Sequence, residues 1–342
     1  MLYCGMDLHA KESVVHVIDR KGERVLVKRL PTDPKAFKEV LGPLVRRKVR
    51  VILEASTMSR WAAEELKKLK MEVVVVDPRR VRLIAETRRK NDRADARVLA
   101  ELARTEALPR PLHQLSDEAR QLQAQLGVRR GLIKQRTATV CQAHALCRSV
   151  GIRLKRKGLY RGYQWDQLLA RRDLPKWLLP LLKSLRKAAE SIDRVIDTVE
   201  AQYAKNLQDE RVVKLQTMAG VGPIAAMTLV ATVDDPKRFP SSRCIGSYAG
   251  LVPSEDSSGE IVRRGHITKE GRGELRAVWI QVAHTVLRLK DHPLAAWGHR
   301  LVYRRGRKVA VVAIARRMLC IAFALLRDGT TFDAARYQKV AA

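Results

Sequence analysis

Val49-Arg50-Val51-Ile52-Leu53-Glu54 is a β-branched run that ends on a carboxylate. Such residues suit a pleated, half-buried surface, so the run predicts a strand with Glu54 at its end. Upstream, residues 2–7 have the character of a short buried strand, 13–19 alternate around Val15 and Val17, and Lys21-Gly22 turns that strand into 24–30. Thr32 or Asp33 caps a helix through Phe37, Val40 and Leu41 to about Arg47. Downstream, Ser56 or Thr57 caps a helix reaching Lys70, and 72–76 is a near-continuous apolar strand of the kind covered on both faces. Asp77-Pro78 closes it, and helices over 79–87 and 92–104 follow.

The order βββ-α-β-α-β-α predicts a ribonuclease H-like α/β domain. Chemistry in such sheets gathers where strands end. Asp7 ends the first strand and Glu54 the fourth, and that topology makes the two strands neighbours. Asp92 and Asp95 stand three apart at the start of a helix, so they stack on one face. Helix-start electrostatics alone accounts for such a pair, and an isolated acid at a strand end is usually inert. The four together are more specific. Convergent carboxylates repel one another unless a hard divalent cation neutralises them, and Mg2+, with Mn2+ as an alternative, suits phosphodiester chemistry.

The chain has 342 residues, enough for more than one domain. Lys and Arg number 67 against 36 acids, a formal charge of +31. That excess calls for a polyanion, and its spread along the chain favours nucleic acid over a membrane surface. Five cysteines form no C-x-x-C pair, so neither a zinc site nor a disulfide framework is expected. Nothing at the N-terminus resembles a secretory signal and no unbroken apolar run reaches a bilayer span, so a cytoplasmic protein without a membrane partner is expected.

Ser116 caps a long helix through Leu122, Leu126 and Ile133 to about Cys147. A second, from about Trp177 to Asn206, carries a heptad-like repeat at Leu181, Leu185, Ala189, Ile192, Ile196 and Val199. The pair predicts a helical hairpin or coiled coil that also joins subunits. Between them, Arg153, Lys155, Arg156, Lys157, Arg161, Arg171 and Arg172, with Tyr160, Tyr163 and Trp165 interleaved, favour phosphate contacts over a merely solvated face. Further on, Gly220 and Gly222 in Met218-Ala219-Gly220-Val221-Gly222-Pro223 permit a tight turn into a helix whose first N–H groups are free for DNA phosphates. A purely structural turn fits nearly as well.

Tyr248-Ala249-Gly250-Leu251-Val252-Pro253 leads to Ser257-Ser258-Gly259, and then to Arg263, Arg264, Gly265-His266-Ile267-Thr268-Lys269-Glu270-Gly271-Arg272-Gly273-Glu274-Leu275-Arg276. Physically, Ser-Ser-Gly is more often a turn than a nucleophile, although Arg263, Arg264, Lys269 and Arg276 offer charge for a phosphorane. The whole ordered set resembles a group of bacterial insertion-sequence transposases, the "IS one-ten" family of DEDD/serine recombinases guided by a bridge RNA. It comprises Gly5-Met6-Asp7, Leu53-Glu54-Ala55-Ser56, K-N-D-R-A-D-A-R over 90–97, Ala219-Gly220-Val221-Gly222, the serine and G-H-I-T-K-E-G-R-G-E-L-R segments, and F-D-A-A-R-Y over 332–337.

The resemblance implies three regions: a RuvC-like (RNase H-like) DEDD domain over 1–110, a basic coiled-coil linker for dimerisation and RNA binding over 111–207, and a mainly helical serine-bearing domain over 208–342. It implies Asp7, Glu54, Asp92 and Asp95 as metal-holding acids, and Ser258, directly before glycine, as nucleophile, with Ser257 its rival. It also implies double-stranded DNA and a guide RNA as partners, in a homodimer or homotetramer with a composite site. The expected function is excision and insertion of a mobile element. Two alternatives stay open: a metal-dependent junction resolvase using water, and a non-catalytic nucleic-acid-binding protein.

Overall fold

A computed structural model describes residues 1–84, 92–155, 159–160, 162–255, 263–290, 292 and 294–335; the side chains of Leu83, Ile84, Asp92, Arg93 and Arg264 lie outside it. Arg156, Lys157, Ser257 and Ser258 lie outside the described residues too. The chain divides into two compact units, 1–114 and 115–342.

In the first unit, β1 (Leu2–Leu8), β2 (Glu12–Ile18) and β3 (Arg24–Pro31) form the antiparallel opening expected. Helix α1 (Pro34–Leu41), β4 (Val49–Glu54), α2 (Ser59–Lys68), β5 (Glu72–Val76), α3 (Pro78–Ile84) and α4 (Asp92–Arg104) follow. The sheet has the order β3-β2-β1-β4-β5, with β4 parallel to both β1 and β5. Helix α1 is shorter than expected: Pro43 lies in a 3-10 turn over Gly42–Arg46, so the α-helix ends at Leu41. Its cap is Asp33, which accepts from the Ala36 N–H, while the Thr32 hydroxyl donates to the His9 carbonyl. Neither Ser56 nor Thr57 caps α2; the Ser56 hydroxyl accepts from the Met58 N–H and the helix starts at Ser59.

Strand parity sorts this sheet into two faces. Leu2, Cys4 and Met6 of β1 and Val49, Val51 and Leu53 of β4 join Phe37 and Leu66 in one core. Tyr3, Ile52 and Val76 face the other way and pack with Leu99, Leu102 and Ala103 of α4. Glycine 5 sits under that helix, where a Cβ would come within 1.9 Å of the Ala96 carbonyl oxygen. Only glycine lets the α4 backbone lie this close to β1.

The second unit contains α5 (Asp117–Ser149), α6 (Gly162–Leu169), α7 (Leu178–Gln202), α8 (Glu210–Gln216), α9 (Pro223–Val233), α10 (Ser242–Tyr248), the short strands β6 (Pro253–Glu255) and β7 (Arg264–Ile267), α11 (Gly273–Val286), α12 (Ala295–Arg305) and α13 (Arg307–Asp328). Ser116 caps α5 as expected, accepting from the Ala119 N–H, and the Asp234 carboxylate holds the Ser116 hydroxyl at 2.6 Å. Helices α5 and α7 pack along each other, tied by the Arg129–Glu200 ion pair at 2.6 Å and by Arg136 to Asp193. The buried stripe of α7 runs through Leu178, Leu182, Ala189, Ile196 and Val199, whereas Leu181 faces outward. The basic segment holds a helix that the sequence did not suggest, α6. It buries Trp165, whose Nε1 donates to the Leu159 carbonyl at 3.0 Å, among Val140, Cys147, Leu178 and Leu182. Trp165 is therefore a core residue and not an aromatic free to meet nucleic acid.

The remaining helices close around α9, whose residues 225–233 are all buried, and around α13. Helix α13 spans 22 residues and is apolar enough by length and composition to cross a membrane, despite Arg316 and Arg317. The helix packs Ile314, Met318, Leu319, Ala322 and Phe323 into the protein core, as the central helix of a large unit must.

Candidate active site

Asp7 and Glu54 share a sheet face by parity. Gly5 pairs with Ile52 and Met6 with Leu53 across parallel strands, so Asp7 and Glu54 follow at neighbouring C-terminal ends, on the side that α4 covers. The glycine beneath α4 seats that helix, and Asp95 sits in its first turn, one position before the buried Ala96.

The electrostatics bind these acids into one field. Glu54 is half-buried, and burial pushes its carboxyl above the usual carboxylate range. The negative charges of Asp7 and Asp95 raise it further, Arg82 opposes them, and Asp77 adds to them. In a chain with a formal charge of +31, a patch where carboxylates depress one another's ionisation is an exception that a cation would relieve. The Asp7 carboxylate also lies 3.1 Å from His9 Nε2. Among the described residues no three His, Cys, Asp or Glu side chains converge tightly enough to hold an ion, and the Asp92 side chain lies outside that set. The donors are all carboxylates, which fits a hard oxygen-seeking divalent cation.

Asp77 is the acid that sequence reasoning passed over. It follows β5 as Glu54 ends β4, so the same strand-end logic applied to it. Its helix-starting role concealed it, since its Oδ1 accepts from the Arg79 N–H at 2.9 Å at the head of α3.

The serine segment is carried by β6 and β7, paired at Pro253 with Ile267 and at Glu255 with Arg264. Ser257 and Ser258 fall between those strands. The β6–β7 stem itself is locked by two glycines in left-handed conformation. At Gly250 (φ 64°) a Cβ would lie 2.1 Å from the Glu270 carbonyl oxygen, and at Gly271 (φ 87°) 2.3 Å from that of Tyr248. The Arg272 N–H donates to the Tyr248 carbonyl at 2.8 Å and the Thr268 N–H to that of Val252 at 2.9 Å. Arg276 braces the same turn, its Nη1 donating to the Ala249 carbonyl at 2.8 Å. Arg263 and Lys269 are exposed beside the stem.

Tyr248, also missed from the sequence, anchors this stem. Arg272 Nε donates to its hydroxyl at 3.1 Å, and the Arg238 guanidinium lies 4.9 Å from its ring centre. Burial opposes ionisation of the phenol, but the two guanidiniums together outweigh it and hold the pKa below the ordinary tyrosine value. The other nucleic-acid candidates lie apart in the second unit. Arg153 and Lys155 are exposed beyond α5. Gly220 (φ 91°) turns the chain between α8 and α9 against Val286, and Gly222 stands exposed at the head of α9.

Comparison with known proteins places a matched region over part of each unit. Residues 4–151 match the DEDD transposase family of IS110 elements, described as "Transposase". Residues 213–297 match "Transposase IS116/IS110/IS902 family". A probable family 20 transposase of Pseudomonas aeruginosa is 28% identical over 336 residues, covering 96% of this chain and 97% of its own. The transposase for insertion sequence element IS1328 of Yersinia enterocolitica is 27% identical over 338 residues, 96% and 98% of the two chains. The transposase for insertion sequence element IS1111A of Coxiella burnetii is 31% identical over 253 residues, 71% and 68% of the two chains. The DEDD match points to dependence on divalent metal in general. The two matched regions, together with 31% identity to the IS1111A transposase over 71% of this chain and 68% of that one, make this chain a member of the IS110/IS116/IS902 transposase family and a DNA transposase/recombinase.

Proposed function

We propose that this transposase excises and inserts a mobile element by serine attack on a DNA phosphodiester, assisted by Mg2+ and guided by a bridge RNA. The observation that carries the reading is Glu54, half-buried in the field of Asp7 and Asp95 at the ends of adjacent strands. An RNase H-like (RuvC-like) identity for the first unit is part of the proposal, supported by the strand order β3-β2-β1-β4-β5 with an antiparallel opening.

Asp7, Glu54, Asp92 and Asp95 would hold the cation, which when bound supplies charge neutralisation at the phosphate and at the carboxylates themselves. The Ser258 Oγ attacks phosphorus, forming the Oγ–P bond as the P–O3′ bond breaks. The serine proton is given up and the departing 3′ oxygen gains one, leaving a 5′-phosphoserine link and a free 3′-hydroxyl. A 3′-hydroxyl of the partner strand then attacks that phosphorus, releasing Ser258 and joining the exchanged strands. Arg263, Arg264 and Lys269, which follow the serine closely in sequence, are assigned to meet the added negative charge, and Arg276 braces the stem on which that assignment rests. The basic segment at Arg153, Lys155, Arg156 and Lys157 is assigned to RNA, the Gly220–Gly222 turn to DNA phosphates, and residues 111–207 to the linker that pairs subunits in a homodimer or homotetramer. Charge, core packing of α13 and the DNA substrate support a cytoplasmic protein.

Metal binding tests the acidic half. Titrating Mg2+ or Mn2+ into the protein should give a saturable heat that Asp7→Asn and Asp95→Asn each abolish, along with strand cleavage. Undiminished binding and cleavage in both variants would remove the metal site.

A further inference from the structure

Residues Tyr303-Arg304-Arg305-Gly306-Arg307-Lys308-Val309 are exposed without a break. They form the last turn of α12, the Gly306 corner (φ 81°) and the first turn of α13. Tyr303 keeps 94% of its surface in solvent, against 56% for Trp177, the next most exposed large hydrophobic side chain among the described residues. An aromatic ring ordinarily gains by burial, so one held fully in water is costly unless something covers it.

The charges around the ring point to what that is. Arg300, Arg304, Arg305, Arg307 and Lys308 are all exposed, and none is held by an ion pair with a described carboxylate. Elsewhere arginines pair readily, as Arg186 does with Asp166 and Glu190. From 292 through 327 the sequence contains no Asp or Glu at all. Arg304 and Arg305 at the end of α12 suit its dipole, but Arg307 and Lys308 open α13, where positive charge is unfavourable and no acid stands in the first turn. Five cations with no ion-pair partner among the described residues, around one unburied ring, match phosphates flanking a base.

We propose that the α12–α13 turn is a separate contact for unpaired DNA, in which Tyr303 stacks on an exposed nucleobase while the flanking cations hold the neighbouring phosphates. The inference rests on the chain being a DNA transposase. DNA is favoured as occupant because strand exchange must unpair bases, and a base within a duplex has both faces covered by its neighbours. The contact lies outside the acidic face and the serine stem, so it grips the strand rather than cuts it.

The full-length protein can be titrated into two oligonucleotides containing 2-aminopurine: a fully paired duplex, and the same duplex with a short unpaired patch carrying the probe. Tyr303→Ala should weaken binding to the patched DNA at least ~5-fold and abolish its fluorescence quenching, while Tyr303→Phe keeps both. Affinity for the paired duplex should change less than about 2-fold in either variant. Arg304→Ala with Arg307→Ala should weaken both DNAs and reduce the salt dependence by about two phosphate contacts. Unchanged affinity and quenching in Tyr303→Ala would overturn the proposal, as would a loss confined to an RNA oligonucleotide of the same sequence. Cleavage of a fully paired substrate by Tyr303→Ala should match the wild type, which keeps failure here distinct from failure of the Ser258 mechanism.

Discussion

Glu54 is the residue at which stability and chemistry oppose each other. Its carboxyl is pushed up first by burial and then by Asp7 and Asp95. A carboxyl whose folded pKa exceeds its unfolded value costs nothing at low pH, while both states keep it protonated. It destabilises the fold increasingly as pH rises through the folded value. Without divalent cation, Glu54→Gln should therefore melt higher than wild type at pH 8, with the difference vanishing towards pH 4. Added Mg2+ should raise the melting temperature of the wild type more than that of the variant if, as proposed, the intact acid set binds the ion. The same substitution should cut strand cleavage at least ~100-fold. A variant that melts lower at pH 8, or that cleaves normally, contradicts this account. Asp7 and Glu54 were legible in the sequence because strand ends are visible as the points where apolar runs stop. Asp77 was not, because its carboxylate, which accepts from the Arg79 N–H, has an ordinary helix-starting role. Trp165 was misjudged because basic neighbours surround it in sequence but Leu159, Leu168 and Leu178 surround it in space.

Among the elements, α4 matters most, and Gly5 sets its height above the sheet. A methyl at that position would meet the Ala96 carbonyl at 1.9 Å and the Ala100 nitrogen at 2.7 Å, both backbone atoms that cannot turn aside. Gly5→Ala should destabilise the first unit by about 1–3 kcal/mol in urea unfolding and lift Asp95 from its partners, with loss of metal-dependent cleavage. Wild-type stability in that variant would mean that α4 is held elsewhere. Gly271→Ala makes a parallel test of the serine stem, where a left-handed φ of 87° and the Tyr248 carbonyl both exclude a side chain. It should reduce DNA cleavage while leaving metal binding by the first unit unchanged. The five strands and their antiparallel opening could be read from the sequence because each strand is bounded by turn residues or a capped helix, and the β1–β4 adjacency was expected from the βββ-α-β-α-β-α order. Helix α6 could not, since its eight residues, set among basic neighbours, hold too few turns to display a period. Leu181 was misassigned to the seam: the 3–4 spacing back from Val199 through Ile196, Ile192, Ala189 and Leu185 falls on Leu182 and Leu178, both buried, and leaves Leu181 outward.

For the whole molecule, a formal charge of +31 makes DNA binding a counterion-release reaction. If six or more phosphates are engaged, affinity for a random duplex should fall by about 1,000-fold or more between 50 and 200 mM salt, measured by fluorescence anisotropy. A flat salt response would mean that the basic surface does not face the DNA. The central claim is that the acidic strand ends and Ser258 serve one reaction. It is tested most directly by trapping that reaction on a nicked suicide substrate with Mg2+ and mapping the protein–DNA adduct by peptide mass spectrometry. The account predicts a phosphodiester link to Ser258 that is absent in Ser258→Ala, present in Ser257→Ala, and dependent on both Asp95 and divalent cation. Cleavage without any adduct would contradict it and make this a water-using nuclease, and an adduct on another residue would move the nucleophile away from Ser258.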